Sequence, residues 1–219
     1  MSYRTPAALA TAAVIAGGAA AQSRATISAS ASDAETIWRI DAAHSAVGFA
    51  VKHMGISTVR GSFAAYDGVI ATGEGLALRR IEVTIDPASI ATGVERRDNH
   101  LRSPDFFDVA GHPTMRFVST RVTAESPTRF RVAGNLTMRG VTRPITLTVE
   151  TLGDAVRDME GKRRTGGTAV ATINRKDWGL SWNQALELGG MLVGEDVTLT
   201  IEIEAVAQEA AMAAAVGKN

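Results

Sequence analysis

Four histidines are the residues of this chain best suited to metal ligation or acid–base chemistry: His44, His53, His100 and His112. Two metal ligands on one face of a strand or helix need a spacing of i, i+2 or i, i+4, and no pair of these histidines has it. The chain also has no cysteine, which excludes thiolate zinc sites, iron–sulfur clusters and thiol nucleophiles. We therefore expect no metal site and no redox cofactor.

Asp41, His44 and Ser45 bring the residue types of a hydrolytic triad into one short stretch. Neighbouring residues of a strand point to opposite faces, so Ser45 would not meet His44 there. The nucleophile elbow G-x-S-x-G is absent, and so are the two phosphate-binding glycine motifs. We expect Asp41 and Ser45 to organise the entry into a strand.

The segment 95–108 combines dense charge with three large apolar residues, Leu101, Phe106 and Phe107. Its charged and titratable residues include Arg96, Arg97, Asp98, His100, Arg102, Asp105 and Asp108. Two interpretations fit this composition. The segment is either a solvated helix anchored by its phenylalanines, or a lid whose rings face an apolar ligand. In the second case an arginine would hold the polar head group, since a guanidinium makes forked bonds to phosphate and carbonyl oxygens.

Two further side chains have open roles. His53 shares strand parity with Val47, Phe49 and Val51, so it is either a core histidine or a polar contact inside a pocket. Trp178 follows a strand and is either a core residue or a ring at the rim of a barrel.

The elements that position these residues are strands. Apolar and polar residues alternate in four clear runs (47–51, 81–85, 145–149 and 197–203) and in four weaker ones (57–71, 114–123, 128–139 and 164–174). Such alternation is typical of half-buried antiparallel strands. Helical patterning appears only near 94–110, where Pro104 interrupts it. The pattern predicts an all-β fold of about eight strands, and closure into a barrel would leave room for one small ligand.

The two ends of the chain differ from this middle. Residues 1–21 combine Arg4, an uncharged Ala-rich stretch and an Ala19-x-Ala21 site, which is the pattern of a cleaved secretory signal. Residues 22–36 are predicted to be a flexible linker, 37–207 the barrel domain, and 208–219 a disordered or frayed tail. The balance of 23 basic and 23 acidic residues argues against nucleic-acid binding.

Several stretches taken together resemble the YceI-like family of exported lipid-binding proteins. They are WRIDAAHSAVGFAVKHM at 38–54, Gly61–Phe63, Asp67–Gly68, Ser89–Gly93, RDNHLRSPDFFD at 97–108, HPTMRF at 112–117 and LTMRGVTRP at 136–144. The resemblance spans about 38–206, essentially the whole predicted barrel, and the order and number of the matching segments make it specific.

This resemblance implies a lipocalin-like, eight-stranded antiparallel barrel that holds a long isoprenoid chain, such as a polyprenyl phosphate or a quinone. Family members are often periplasmic, can be dimeric and have no agreed enzymatic activity. We therefore expect an exported binding protein and not an enzyme, with transient membrane contact and a homodimer as further expectations. The candidate ligand-binding residues are Phe49, Val51, His53, Met54, Phe63, Val83, Arg97, Asp98, His100, Leu101, Phe106, Phe107 and Trp178.

Two other functions stay open at this point. One is an enzyme acting on the same lipid, with His53 or His100 and Asp98 as a base pair. The other is a packed barrel that serves a membrane redox partner such as a cytochrome b561-type protein.

The signal pattern predicts that the mature chain begins near Gln22. Intact-mass measurement of the exported protein should show the loss of residues 1–21. A mass that includes them would contradict cleavage at this site.

Overall fold

The structure, a computed structural model, describes residues 35–151, 154–187 and 189–208. The predicted signal peptide, residues 22–34 of the predicted linker and residues 209–219 of the predicted tail lie outside the described residues. Within the described part, no helix is long and apolar enough to cross a bilayer.

The described residues form twelve strand segments and one α-helix. The strands are β1 (Thr36–Ile40), β2 (Ala46–His53), β3 (Ser57–Phe63), β4 (Tyr66–Thr72), β5 (Leu78–Ile85), β6 (Ile90–Ala91), β7 (Met115–Ala124), β8 (Arg129–Met138), β9 (Val141–Thr151), β10 (Val156–Arg157), β11 (Arg163–Asn174) and β12 (Val193–Ala207). The helix α1 (Glu95–Arg102) lies between β6 and β7, within the predicted helical segment near 94–110.

These segments build a closed antiparallel barrel of eight strands. Three of the eight are interrupted: β1 continues into β2, β3 into β4, and β5 into β6. Each strand pairs with the next along the chain, apart from the short β10, and β12 closes the barrel. One edge of β12 pairs with β11 from Asn174↔Asp196 to Arg164↔Val206, and its other edge pairs with β2 and β1. The predicted all-β barrel of eight strands with one short helix is confirmed.

The break between β1 and β2 is held by the residues expected to organise it. The Asp41 carboxylate accepts a hydrogen bond from the Ala43 amide at 3.1 Å and caps a short 3-10 turn. The Ser45 hydroxyl donates to the Glu204 carbonyl at 3.2 Å and accepts from the Glu204 amide at 2.9 Å. Ser45 thus replaces the ladder bonds that the bend removes, because backbone groups at a strand break still need partners.

An ion-pair cluster joins this break to the closing strands. Arg164 on β11 donates to Asp41 at 2.7 Å, to Asp158 at 2.7 Å and to Glu204 on β12 at 2.6 Å. Asp41, His44 and Glu204 are near enough to one another to hold a metal ion. However, the Arg164 guanidinium already supplies the positive charge that two of these carboxylates need, so we assign the cluster to structure.

Arg164 and, after it, His44 lower the pKa of Asp41 from 3.8 to about 2. A carboxylate whose pKa is lowered by folding stabilises the fold above its unfolded pKa, and this stabilisation is lost as the pH falls through the folded value. Asp41 should therefore contribute stability at neutral pH that disappears between about pH 4 and pH 2.

We predict that Asp41→Asn lowers the urea midpoint at pH 7 and weakens its dependence on pH between 4 and 2. Asp67→Asn is the matched control, because the ion pair of Asp67 with Arg39 is open to solvent on both sides. Urea titrations of both variants and the wild type at pH 7, 4 and 3 would measure the effect. An acid dependence in Asp41→Asn equal to that of the wild type would contradict it.

Candidate ligand-binding cavity

The interior of the barrel is not filled by side chains. It contains a cavity of about 230 Å³, whereas one water molecule needs roughly 10–15 Å³. Protein interiors are normally close-packed, so the lining residues forgo contacts that a filled core would provide. A space of this size can hold part of a ligand.

The wall of the cavity is formed by the inward faces of the strands, and it is almost entirely apolar. On β12 the alternate residues Val197, Leu199, Ile201 and Ile203 line it, as the period-two pattern of that run predicts. These four residues are only half-buried although they point inward, because they face the cavity and not neighbouring side chains.

Seven of the thirteen candidate residues line this cavity: Phe49, Val51, Phe63, Val83, Leu101, Phe106 and Phe107. Those on strands lie where alternation predicts an inward side chain. Gly61, opposite Phe49 on β3, leaves room for the Phe49 ring, since a Cβ at Gly61 would lie only 2.5 Å from Phe49 Cζ.

The segment from α1 to Phe107 closes part of the wall at one end of the barrel. Leu101, Phe106 and Phe107 contribute its cavity-facing side chains. The Phe107 ring packs edge-on against Phe63 with centroids 5.7 Å apart, and Phe63 contacts Phe49 at 5.7 Å. The contacts among these three rings extend the apolar wall from β2 and β3 to Phe107. Phe107 therefore lies where the apolar part of a lid would face a ligand.

The arginines of this segment do not face the cavity. Arg97 donates from Nε to the Thr92 hydroxyl at 2.7 Å and from Nη2 to the Thr92 carbonyl at 2.9 Å. Arg102 donates to the carbonyls of Ala88 and Ile90, both at 2.7 Å. Their side chains stabilise the irregular backbone at 88–92, so the structure does not place the proposed head-group arginine Arg97 in the lining.

Asp98 and His100 also lie outside the lining, and they are not paired with each other. The Asp98 carboxylate is buried and accepts hydrogen bonds from the amide and hydroxyl of Thr92. His100 Nε2 lies 2.8 Å from Asp105 Oδ2, and its ring packs edge-on against Trp182 at 4.7 Å. The base pair considered for an enzyme is therefore not assembled in this structure.

The three remaining candidates lie near the same end of the barrel but outside the lining. His53 is half-buried at the end of β2, and Met54 is 42% exposed in the turn that follows. Trp178 is buried, and its Nε1 donates to the Leu136 carbonyl at 3.0 Å. Of the two interpretations of Trp178, the structure supports the core residue.

Sequence reasoning missed one lining residue that carries charge. Arg175 is 4% exposed and is the one charged side chain that lines the cavity within the described part of the chain. It follows the inward-facing Ala169, Ala171 and Ile173 of β11 at the same two-residue spacing. Extending the alternation past the end of the strand could have predicted its inward position.

Comparison with known proteins identifies this architecture. The YceI-like domain matches residues 38–205. A UPF0312 protein of Staphylococcus aureus (strain MSSA476) is 39% identical over 171 residues, which cover 77% of this chain and 96% of the relative.

Solved structures agree with this match. The Campylobacter jejuni YceI protein has 31% identity and a TM-score of 0.63, with 72% of this chain and 90% of that chain covered. A polyisoprenoid binding domain from Saccharophagus degradans shares the fold at 16% identity and a TM-score of 0.57, with 78% and 98% covered. The domain match over residues 38–205 and the 39% identity to the Staphylococcus aureus protein establish that the chain belongs to the YceI-like family.

Proposed function

We propose that this protein binds a long-chain isoprenoid-type lipid, such as a polyprenyl phosphate or a quinone, inside the barrel. The observation that carries the proposal is the apolar cavity, which extends from Leu180 at the α1 end of the barrel to Ala205 at the opposite end. The Saccharophagus degradans structure, described as a polyisoprenoid binding domain, supports the same class of ligand.

In this proposal burial of hydrocarbon supplies most of the free energy of binding. Transfer of one five-carbon isoprene unit out of water is favourable by about 4 kcal/mol, at roughly 0.8 kcal/mol per methylene-sized group. Observed ligand efficiencies of about 0.3 kcal/mol per atom imply a smaller net contribution to binding, roughly 1.5 kcal/mol per isoprene unit. About five or six buried units would then give micromolar affinity. In this proposal the head group sets orientation more than affinity.

We further propose that the protein carries or sequesters this lipid in the periplasm without transforming it. The signal pattern at 1–21 supports export. Exposed apolar residues at the α1 end of the barrel, Met54, Ile56 and Met191, support transient contact with a membrane that supplies the lipid. The Met54 amide donates to the Leu192 carbonyl at 2.8 Å, which brings these two turns together.

The direct test is extraction of lipid from the protein purified from its native compartment, followed by mass spectrometry. We predict that wild-type protein yields an isoprenoid-type lipid and that Val83→Trp yields at least about tenfold less, because the larger ring occupies the cavity. Thr84→Trp is the matched control, since the adjacent residue on the same strand faces outward and is exposed.

Circular dichroism should show that both variants keep the fold. Equal lipid content in folded Val83→Trp and Thr84→Trp would place the ligand outside this cavity. Recovery of a chemically altered lipid after incubation with the wild type, and not with Val83→Trp, would favour an enzyme. Wild-type protein without any lipid would favour a barrel that acts through a protein partner.

A further inference from the structure

The cavity has a positively charged side chain in a wall that is otherwise apolar or neutral. Arg175 begins the short 3-10 turn Arg175–Trp178 directly after β11, and its side chain lines the cavity with Ile173, Leu180 and Val193. A cavity that holds only hydrocarbon does not need a guanidinium in its wall. The surroundings of the Arg175 side chain therefore indicate what kind of ligand it can bind.

Neutral carbonyls are the only hydrogen-bond acceptors of this guanidinium within the described residues. Nε donates to the Gly194 carbonyl at 2.9 Å, Nη1 donates to the carbonyls of Leu180 and of Trp182, the latter at 3.0 Å, and Nη2 reaches the Val193 carbonyl at 3.4 Å. A guanidinium has five N–H groups. Four are used, the last of them weakly, so Nη2 retains donor capacity.

The positive charge of Arg175 is also without a carboxylate in contact among the described residues. Glu195 is the acidic group that acts on it from a distance, but Glu195 is exposed and forms its ion pair with Lys176. Burial lowers the pKa of Arg175, and Glu195 opposes that effect. Arginine nevertheless stays protonated in proteins.

A buried and unpaired cation is unfavourable for the fold by itself, because its hydration is lost without a compensating negative charge. The same situation favours an anionic ligand. The desolvation of Arg175 has already occurred in the folded protein, so an incoming oxygen anion loses only its own hydration and meets a donor held in place.

The opposite end of the cavity is neutral. Its polar lining residues are four threonines, Thr72, Thr151, Thr165 and Thr168, and the Thr72 hydroxyl already accepts a hydrogen bond from Trp38 Nε1 at 2.9 Å. About 30 Å of strand separates Thr165 from Asn174, the neighbour of Arg175, at about 3.3 Å per residue. The two ends of the cavity therefore differ in charge, and a lipid with one acidic end would favour one direction.

We propose that Arg175 binds the acidic end of the lipid, with a phosphate or carboxylate oxygen at Nη2 and the hydrocarbon chain extending along β12 toward Thr165. This inference rests on the proposed lipid-binding function and adds the head-group chemistry and the direction of the ligand. It assigns the head-group contact to Arg175, in place of Arg97, which bonds to Thr92.

The first test compares three probes with the same chain: farnesyl phosphate, farnesol and farnesylamine. For the wild type we expect farnesyl phosphate to bind at least about tenfold more tightly than farnesol, the size of one charged hydrogen bond, and farnesylamine to bind most weakly. Arg175→Met should remove the preference for phosphate over farnesol while farnesol binding remains.

Arg139→Met is the matched control. Arg139 also donates to two backbone carbonyls at this end of the barrel, those of Phe106 at 3.0 Å and Gly179 at 3.1 Å, but it does not line the cavity. The control should keep the head-group preference. If the wild type shows no preference, or if folded Arg175→Met keeps it, then Arg175 only holds the backbone at 180–182 and 193–194 in place and the proposal is wrong.

The second test needs no variant, which matters because Arg175→Met loses four carbonyl contacts and could fail to fold. Stearate with a nitroxide at carbon 5 should broaden the amide resonances of Leu180 and Gly194 in ¹⁵N-labelled wild-type protein. Stearate with the nitroxide at carbon 16 should broaden those of Thr165 and Thr151. The reverse pattern would overturn the direction but leave lipid binding intact. Binding of neither the stearates nor the farnesyl probes would contradict the proposed function itself.

Discussion

Pairing of β12 along both of its edges is the interaction on which the rest of this structure depends. One edge bonds to β11 and the other to β2 and β1, which turns a twisted antiparallel sheet into a closed barrel. Every inward-facing side chain then points into the same enclosed space. Arg164 reinforces the closure at one end, because it joins β11 to Glu204 on β12 and to Asp41 in the break between β1 and β2.

The charged segment around α1 stabilises the irregular backbone at the end of the barrel. Peptide groups that leave the sheet need new hydrogen-bond partners, and arginine side chains provide them. Arg97 bonds to Thr92, Arg102 to Ala88 and Ile90, and Arg139 to Phe106 and Gly179. With the backbone held in this way, the rings of Phe106 and Phe107 can line the cavity.

Two features of the interior are unfavourable for stability and suited to binding. An unfilled cavity gives up packing contacts, and a buried arginine that no carboxylate of the described residues contacts gives up hydration. Natural proteins depart from the rules of stable packing mainly at functional sites. Both departures occur in the same cavity here, and a lipid with an acidic end would compensate for both of them together.

The alternation of apolar and polar residues was sufficient to predict the strands and their inward faces. Side-chain direction along a strand is a local property of the backbone, so Phe49, Val51 and Val83 could be assigned to the interior before the fold was known. The same pattern predicted about eight strands. The family was indicated separately, by the resemblance of the matching segments.

The partners of the charged residues depended on the tertiary structure. Arg97 and His100 carry side chains that could equally reach a ligand or the protein, and the choice is made by where the carbonyl of Thr92 and the carboxylate of Asp105 lie after folding. For Arg175, too, the sequence predicts the direction of the side chain but not its partners. Its inward direction continues the alternation of β11. That no carboxylate among the described residues contacts it is decided by where residues 180–187 and 189–194 lie after folding. Hydrogen bonds and ion pairs join groups distant along the chain, so only the assembled barrel determines which charges are neutralised and which one faces the cavity.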